Sequence, residues 1–561
     1  MNRVEKAVNT PVDSHDQNAQ ELIAAPIVVD EQIDLPDDTG PRSRVVLTLL
    51  LPVAVALFAA FYTNQIWEDY FITVRHSMNL CRGNGLTFQP GTHVHGFTSP
   101  LGVLLPALCN AVIPGDSGAQ ALWLFRFLSI AAYAGGCLLV LLGLTRSHRT
   151  RAWCCLALTA ILYSSETKMV MFTINGMETG FMLLFTALAI WVMAADPARK
   201  AWVMGFAWAG MMWSRPDSCV YITAMGLALL LFPNGSRKRM AIAILKAAAV
   251  CTLLYLPWFL WAWSYYGSPV PHTVIAKGTA GFAPGAVFTR LLGILPRSCL
   301  IFLPAYAEHG GWEAYTIFAG SIGLLSVSYW AVPRGDVCAR RTSLMALLGL
   351  VYLTAIPRTF PWYWPTTTVL ALPGIAAWLR LGKEALPGKI RNRAAFALLT
   401  GAVLAQGLML ARATQDARLS QEQEWRHRRI IGLWLRENAA PQDRVFLECV
   451  GYIGYFSELP MLDYPGLVSP AVVASRRRVG DDMAKVGMDL QPEWMVLRPS
   501  ETRWFEAIHQ GWLTEHYELV NVFDSTDSVK AAAGGREVSY YDAVFFALRR
   551  RPQPSPPSNT P

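Results

Sequence analysis

The chain has 561 residues, of which 53% are hydrophobic and 16% charged, against about 25% charged in soluble domains. With twenty tryptophans as well, it has more apolar surface than a globular core of this size needs to hide, which argues against an ordinary water-soluble enzyme. The net charge of +8 does not indicate nucleic acid, because no Lys/Arg run interleaved with aromatics lies on a polar segment; the basic residues punctuate apolar stretches.

Residues 1–43 carry nine acids, no aromatic residue and no sustained apolar run, the composition of a disordered tail rather than of a signal peptide. Arg42 and Arg44 then precede the apolar run 45–62, and basic residues beside a first spanning helix hold that end in the cytoplasm. The run 100–113 is about 14 residues, short of the roughly 20 needed to span, and contains Pro100 and Pro106. It is expected to be an interfacial or re-entrant helix on the outer face. Spanning helices follow near 121–144, 152–165, 180–195, 201–213, 218–233, 240–262, 312–332, 342–356, 364–381 and 394–412, eleven with the first. Under that count the basic clusters fall on the cytoplasmic side: Arg146, Arg149 and Arg151; Arg199 and Lys200; Arg237 to Arg239; Arg334, Arg340 and Arg341; and Lys383 to Arg393.

After residue 412 the chain becomes charged and soluble in character, with a candidate helix at 420–438 and strands at 445–450, 494–497 and 542–550. The expected fold class is thus a mainly α-helical polytopic membrane protein (44–412) with a C-terminal extracytoplasmic α/β domain (413–550) and a Pro-rich tail (551–561). The ten cysteines show no metal-ligand spacing. Cys81 and Cys109 both fall on the outer side and could form a disulfide.

Five outer segments carry polar residues that membrane packing does not require. The loop 63–99 begins IWEDYFITVRHSMNL, with Glu68 and Asp69 about one turn beyond the first span and Arg75 six residues after Asp69. Acids this close to hydrocarbon are costly. They serve either as an interfacial pair with Arg75 or as a general base with a cation nearby. In NGMET, Glu178 either complements a helix N-terminus or belongs to a site. Arg215 and Asp217 flank Pro216 in WSRPDS, an internal turn or a ligand contact. In SYYGSPVPHTVIAKG, His272 precedes Lys277, which either snorkels to headgroups or binds a lipid-linked phosphate. IPRTFPWYWP sets Arg358 beside Trp362, Tyr363 and Trp364; an aromatic belt accounts for the rings but not for an outward arginine.

The order EDYFITVRHSMNLCRGNGLTFQPGTHVHGFTSPL, NGMETG, WSRPD, YYGSPVPHTVIAKG and PWYWP resembles the GT-C superfamily of polyprenyl-phosphate-sugar-dependent glycosyltransferases over roughly 64–412. Within it, the nearest group is the mycobacterial terminal arabinofuranosyltransferase type with its proteobacterial relatives. GYIGYFSELPMLDYPGLVSP (451–470) is similar to that group's extracytoplasmic segment.

The resemblance implies an inverting transferase in a bacterial inner membrane. It would move a sugar, arabinofuranose or another pentose, from a polyprenyl phosphate to a glycan, lipid or protein acceptor on the extracytoplasmic face. It implies an acidic catalytic pair at Glu68 and Asp69. The group's usual pair is Asp-Asp, so Glu68 is a departure and Asp69 is the expected base. The group's Arg-Tyr appears here as Arg75–His76. Donor-phosphate contacts are expected from Lys277, Arg75 and Arg358, and pocket walls from His76, Glu178, Arg215, His272 and Tyr363.

No metal ligands are assigned, although the chemistry allows a divalent cation. A GxGxxG between strand and helix is lacking, which agrees with a lipid-linked rather than a nucleotide donor. The partners expected are the lipid-linked sugar, the acceptor and membrane lipids. The principal alternative is a transporter or flippase of a lipid-linked saccharide, which would show internal repeats and polar residues at mid-bilayer depth. In a third reading the membrane part merely anchors a C-terminal binding module.

Overall fold

The computed structural model describes residues 41–113, 118–147, 153–278, 284–305, 312–357, 359–535 and 540–552. Most of the acidic tail, Arg149, Arg151, Arg358 and the Pro-rich end from residue 553 lie outside the described residues.

Apolar runs become helices because a helix satisfies its own backbone groups without water. In chain order these are α1 (Pro41–Thr63), α2 (Glu68–Cys81), α3 (Pro100–Val112), α4 (Ala119–Ser147), α5 (Trp153–Ser165), α6 (Thr167–Ile174), α7 (Thr179–Ala194), α8 (Ala201–Ser214) and α9 (Ser218–Leu231). There follow α10 (Arg237–Tyr266), α11 (His272–Gly278), α12 (Pro284–Leu291), α13 (Ile294–Arg297), α14 (Glu313–Ser328), α15 (Val337–Ala355), α16 (Trp364–Glu384) and α17 (Gly388–Gln423). Among the described helices four are long and apolar enough to cross a membrane: α4, α10, α15 and the rod that begins with α17. Several others are shorter apolar helices, so length alone does not establish eleven spans. The architecture is that of a multi-pass membrane protein.

The segment after the first span is more structured than the expected loop. Asn64 takes a left-handed conformation (φ 44°), and the axis of α2 lies at 90° to that of α1. Buried Arg126 of α4 fixes this bend. Its Nε donates to Ile174 O at 2.6 Å, Nη1 to Asn64 Oδ1 at 2.8 Å and Nη2 to Gln65 O at 2.5 Å. Gly176, at φ +100°, lies so close to Tyr70 that a Cβ there would meet its ring at 2.6 Å. Only glycine meets both conditions, which accounts for the NG of NGMET.

At its far end α17 does not stop where the apolar run ends. It passes through a π-helical turn (Glu424–Arg428) into α18 (Arg429–Asn438), making one rod from the membrane part to the C-terminal region. There a five-stranded sheet forms from β1 (Val445–Leu447), β2 (Met461–Asp463), β3 (Trp494–Leu497), β4 (Tyr517–Asp524) and β5 (Val544–Arg550), in the order β2-β1-β3-β5-β4. β2, β1 and β3 are parallel, while β5 pairs antiparallel with β3 and β4. The crossover between β1 and β2 is α19 (Val450–Ser457), and α20 (Pro470–Val479) follows β2. Three of these strands lie where sequence reading expected them; β2 and β4 it did not anticipate.

The boundary expected at residue 413 does not divide the structure, because from Val45 onward the chain is a single compact unit. The physical reason is a shared core. Phe71 of α2 packs against Tyr452, Tyr455 and Phe456 of α19, with ring centroids 4.4, 4.9 and 5.3 Å away. Cys81 and Cys109 are free thiols, and the Cys81 Sγ–H donates to Ala107 O at 3.4 Å.

Candidate active site

A cavity of about 730 Å³ opens where the bundle meets the C-terminal region. All five polar segments singled out in the sequence reach it. α2 contributes Glu68, Asp69, Ile72 and Thr73; the following loop gives Gly96 to Ser99; and the turn before α7 gives Gly176 to Glu178. Arg215 enters from the end of α8, Thr273 and Lys277 from α11, and Phe360, Trp362 and Tyr363 from the segment before α16. The opposite wall comes from the C-terminal ends of the three parallel strands: Glu448 to Val450 after β1, Pro465 and Leu467 after β2, and Arg498 after β3. Carboxyl ends of parallel strands are the usual ligand-facing edge of an α/β sheet.

Asp69 stands apart from the other carboxylates. Its neighbour Glu68 accepts from Gly451 N–H at 2.9 Å and pairs with Arg428. Glu178 pairs with Arg215 Nη1 at 3.2 Å, and Asp217 takes Arg215 Nε at 3.1 Å. Asp69 has no hydrogen-bond or ion-pair partner among the described residues. Burial raises its carboxyl above the ordinary 3.8, while the charges of Lys277 and Arg215 pull it back down. Both cations are faced by rings: Lys277 Nζ lies 5.3 Å from the Phe360 centroid and the Arg215 guanidinium 4.5 Å from that of Tyr363. Phe360 stacks on Trp362 at 4.5 Å, and Trp362 meets Trp67 at 5.5 Å. The aromatic segment is therefore a cavity wall around the cations, more than a membrane belt.

Not every expected site residue reaches this space. Arg75, six residues on and so about 120° around α2 from Asp69, does not line the cavity. There it bonds to Gly454 O, donates to Leu459 O at 3.2 Å and stacks on Phe88 at 4.2 Å, a clamp on the C-terminal region rather than a phosphate contact. His76 lies on the same face as Asp69 but deeper, beneath Gly96 and against Phe97 at 5.0 Å. Its Nδ1 bonds to Ile72 O at 2.8 Å, and burial drives its pKa down to about 4, so it is neutral. His272 does not line the cavity either; its backbone N–H donates to His95 O at 3.0 Å and starts the helix that carries Lys277.

Several cavity residues escaped sequence reading. Arg428, Arg476, Arg498, Tyr541 and Asp542 all line the cavity from the C-terminal side. In sequence they read as ordinary charges of a soluble segment; the one signal was that WRHRR sits where the chain leaves the bundle. Among the other cavity carboxylates, Glu68 is held by Arg428 and Glu178 by Arg215, while Glu424 Oε2 has no hydrogen-bond partner among the described residues. Among the described residues no three His, Cys, Asp or Glu side chains converge to hold a metal.

Comparison with known proteins bears on what such a cavity does. Residues 415–541 match DUF8728, a domain of unknown function. A terminal β-(1→2)-arabinofuranosyltransferase of Corynebacterium glutamicum is 29% identical over 267 residues, covering 43% of this chain and 38% of that protein's length. One of the same name from Mycobacterium tuberculosis is 24% identical over 586 residues, 84% of this chain and 89% of that protein. Among solved structures, the Archaeoglobus fulgidus oligosaccharyltransferase superposes with a TM-score of 0.54 at 12% identity, over 87% of this chain and 73% of that one. ArnT from Cupriavidus metallidurans bound to undecaprenyl phosphate gives 0.50 at 13% identity, over 91% of this chain and 98% of that one.

This is a GT-C fold. The sequence relatives of this GT-C chain and its structural neighbours are glycosyltransferases, and the likeness runs through both the helical bundle and the C-terminal region. Its cavity lies at the junction of the two.

Proposed function

We propose that this chain is an integral-membrane glycosyltransferase that moves a sugar, arabinofuranose or another pentose, from a polyprenyl phosphate to a hydroxyl of a cell-envelope glycan, lipid or protein. The reaction takes place on the outer face of the bacterial inner membrane, the side to which the sequence assigns the polar loops. Asp69 is the general base. The acceptor oxygen forms a bond to the anomeric carbon as the bond from that carbon to the phosphate oxygen breaks. The electron pair leaves with the phosphate, and the acceptor proton passes to Asp69. A single displacement inverts the anomeric centre. Lys277 and Arg215 hold the phosphate and the charge that develops on it, and the family resemblance assigns Arg358 the same role.

The single observation that carries this reading is the pairing of an unengaged carboxylate, Asp69, with Lys277 and Arg215 in one cavity. A lipid-phosphate sugar arrives activated, so a base and cations for the leaving group are the parts the protein must supply. The pentose rests on the names of the sequence relatives, and the lipid carrier on the undecaprenyl phosphate in the ArnT structure.

The test uses purified full-length protein in proteoliposomes, with polyprenyl-phosphoryl arabinofuranose and an arabinan acceptor. Asp69→Asn is expected to lower turnover by about 10²- to 10⁴-fold, the usual contribution of a positioned base. Undiminished product from that variant would remove Asp69 from the chemistry.

A further inference from the structure

Glu68 and Asp69 are adjacent carboxylates in the first turn of one helix, yet their surroundings differ. Both Glu68 oxygens are already in use: Oε1 accepts from Gly451 N–H at 2.9 Å and Oε2 pairs with Arg428. Arg428 extends the network along the cavity wall. Its Nη2 pairs with Asp542 Oδ2 at 2.9 Å, and Asp542 Oδ1 takes Arg498 Nε at 2.5 Å. Arg498 in turn pairs with Glu501 at 2.6 Å and Glu448 at 2.9 Å. The chain of charges runs from α2, through the π-helical turn, to the ends of β1 and β3. Burial opposes the Asp542 carboxylate, but Arg428 and Arg498 outweigh it and hold its carboxyl below the usual range, as a permanent link in this chain requires.

Two further contacts fasten the same helix. Ahead of α2, Ile66 N–H donates to Gln421 Oε1 at 2.6 Å and Ile66 O accepts from Tyr452 Oη at 2.9 Å. At its middle, Arg75 bonds to Gly454 O and Leu459 O. Gly451 comes so near that a Cβ would lie 2.3 Å from Glu68 O. α2 is thus held along its length by residues 450–459, while Asp69 projects from it unsupported by any bond of its own.

We infer that Glu68 is a positioning residue and not a second catalytic acid: with Arg428 it locks the first turn of α2 to the C-terminal region, so that this region sets where Asp69 points. The inference rests on the transferase reading with Asp69 as base. Each oxygen of the Glu68 carboxylate is tied, one to Gly451 N–H and one to Arg428, which fixes the orientation of the group, whereas Asp69 carries no such tie. The region matched by DUF8728, which contains Arg428 and Gly451, is then part of the catalytic centre.

Full-length Glu68→Gln, Arg428→Gln, their double variant and Asp69→Asn test this in proteoliposomes. Glu68→Gln is expected to lower kcat about tenfold, with donor KM within about twofold and the acid limb of the pH profile unmoved, against a loss of about 1000-fold in Asp69→Asn. The double variant is expected to be no slower than the slower single, because both substitutions undo one link. Hydrogen exchange over residues 68–73 should rise to the same level in both singles, a readout that needs no activity. A Glu68→Gln loss equal to that of Asp69→Asn, multiplying losses in the double variant, or unchanged exchange would each overturn the inference. Full activity in Asp69→Asn would instead sink the transferase assignment of the base, leaving the exchange result to judge the link between Glu68 and Arg428.

Discussion

Replacing Gly451 by alanine perturbs the candidate site without touching a charge, and the structure supplies the magnitude. The added Cβ would lie 2.3 Å from Glu68 O, 2.5 Å from Glu68 Cγ and 3.0 Å from Glu68 C, where ordinary contact begins near 3.4 Å. About 1 Å must therefore open between α19 and α2, and most of what blocks the methyl is backbone, which cannot rotate away. Overpacking of this kind costs about 1–3 kcal/mol, and alanine returns up to about 1 kcal/mol of helix propensity, so a net loss of about 1–2 kcal/mol is expected. The larger effect falls on rate. Displacing the base by about 1 Å costs on the order of 100-fold in turnover.

The assay is the initial rate at saturating donor, read beside thermal unfolding in the same detergent. Gly401→Ala is the control. Gly401 lies inside α17 with nothing within 4 Å of its would-be Cβ, so alanine there should leave kcat unchanged and stability equal or higher. A folded Gly451→Ala protein with kcat within about twofold of wild type would refute the reasoning, because α2 would then not depend on α19 for its position.

Three other outcomes follow from the same geometry. Lys277 opposes the rise that burial imposes on Asp69, so Lys277→Gln should move the acid limb of kcat/KM to higher pH; a limb that stays or moves lower would contradict this. Because the folded carboxyl of Asp69 is raised, the stability it contributes is present below 3.8 and is lost as pH rises through the folded value. Asp69→Asn, inactive as it should be, is therefore expected to unfold at neutral pH no lower than wild type, and a clear drop in Tm would show that the ionised carboxylate is instead stabilised. Arg498→Met strands Glu501, whose side chain is 1% exposed, and should destabilise by about 3–5 kcal/mol; melting at the wild-type temperature would refute that ion-pair chain.

Much of this protein was legible along the chain. The low charge content and the continuous apolar runs point to a helical membrane bundle, because such a run satisfies its own backbone in hydrocarbon as a helix. The polar interruptions marked five segments, and all five reach the cavity. The resemblance carried by EDYF, NGMET, WSRPD and PWYWP pointed toward the GT-C fold that the comparisons support.

Sequence reading favoured Asp69 as the base because Glu68 departs from the usual pair, but it could not show what holds Glu68 or keep Arg75 out of the cavity. Those distinctions depend on α19, whose Gly451 lies 383 positions from Glu68 in the chain and in contact with it in space. Periodicity tells which side of a helix a residue occupies, but not what covers that side. A carboxylate becomes a strut when an arginine and a backbone amide meet it, and is left available for chemistry when nothing does. Which of the two it becomes is decided by packing between segments that no local pattern connects.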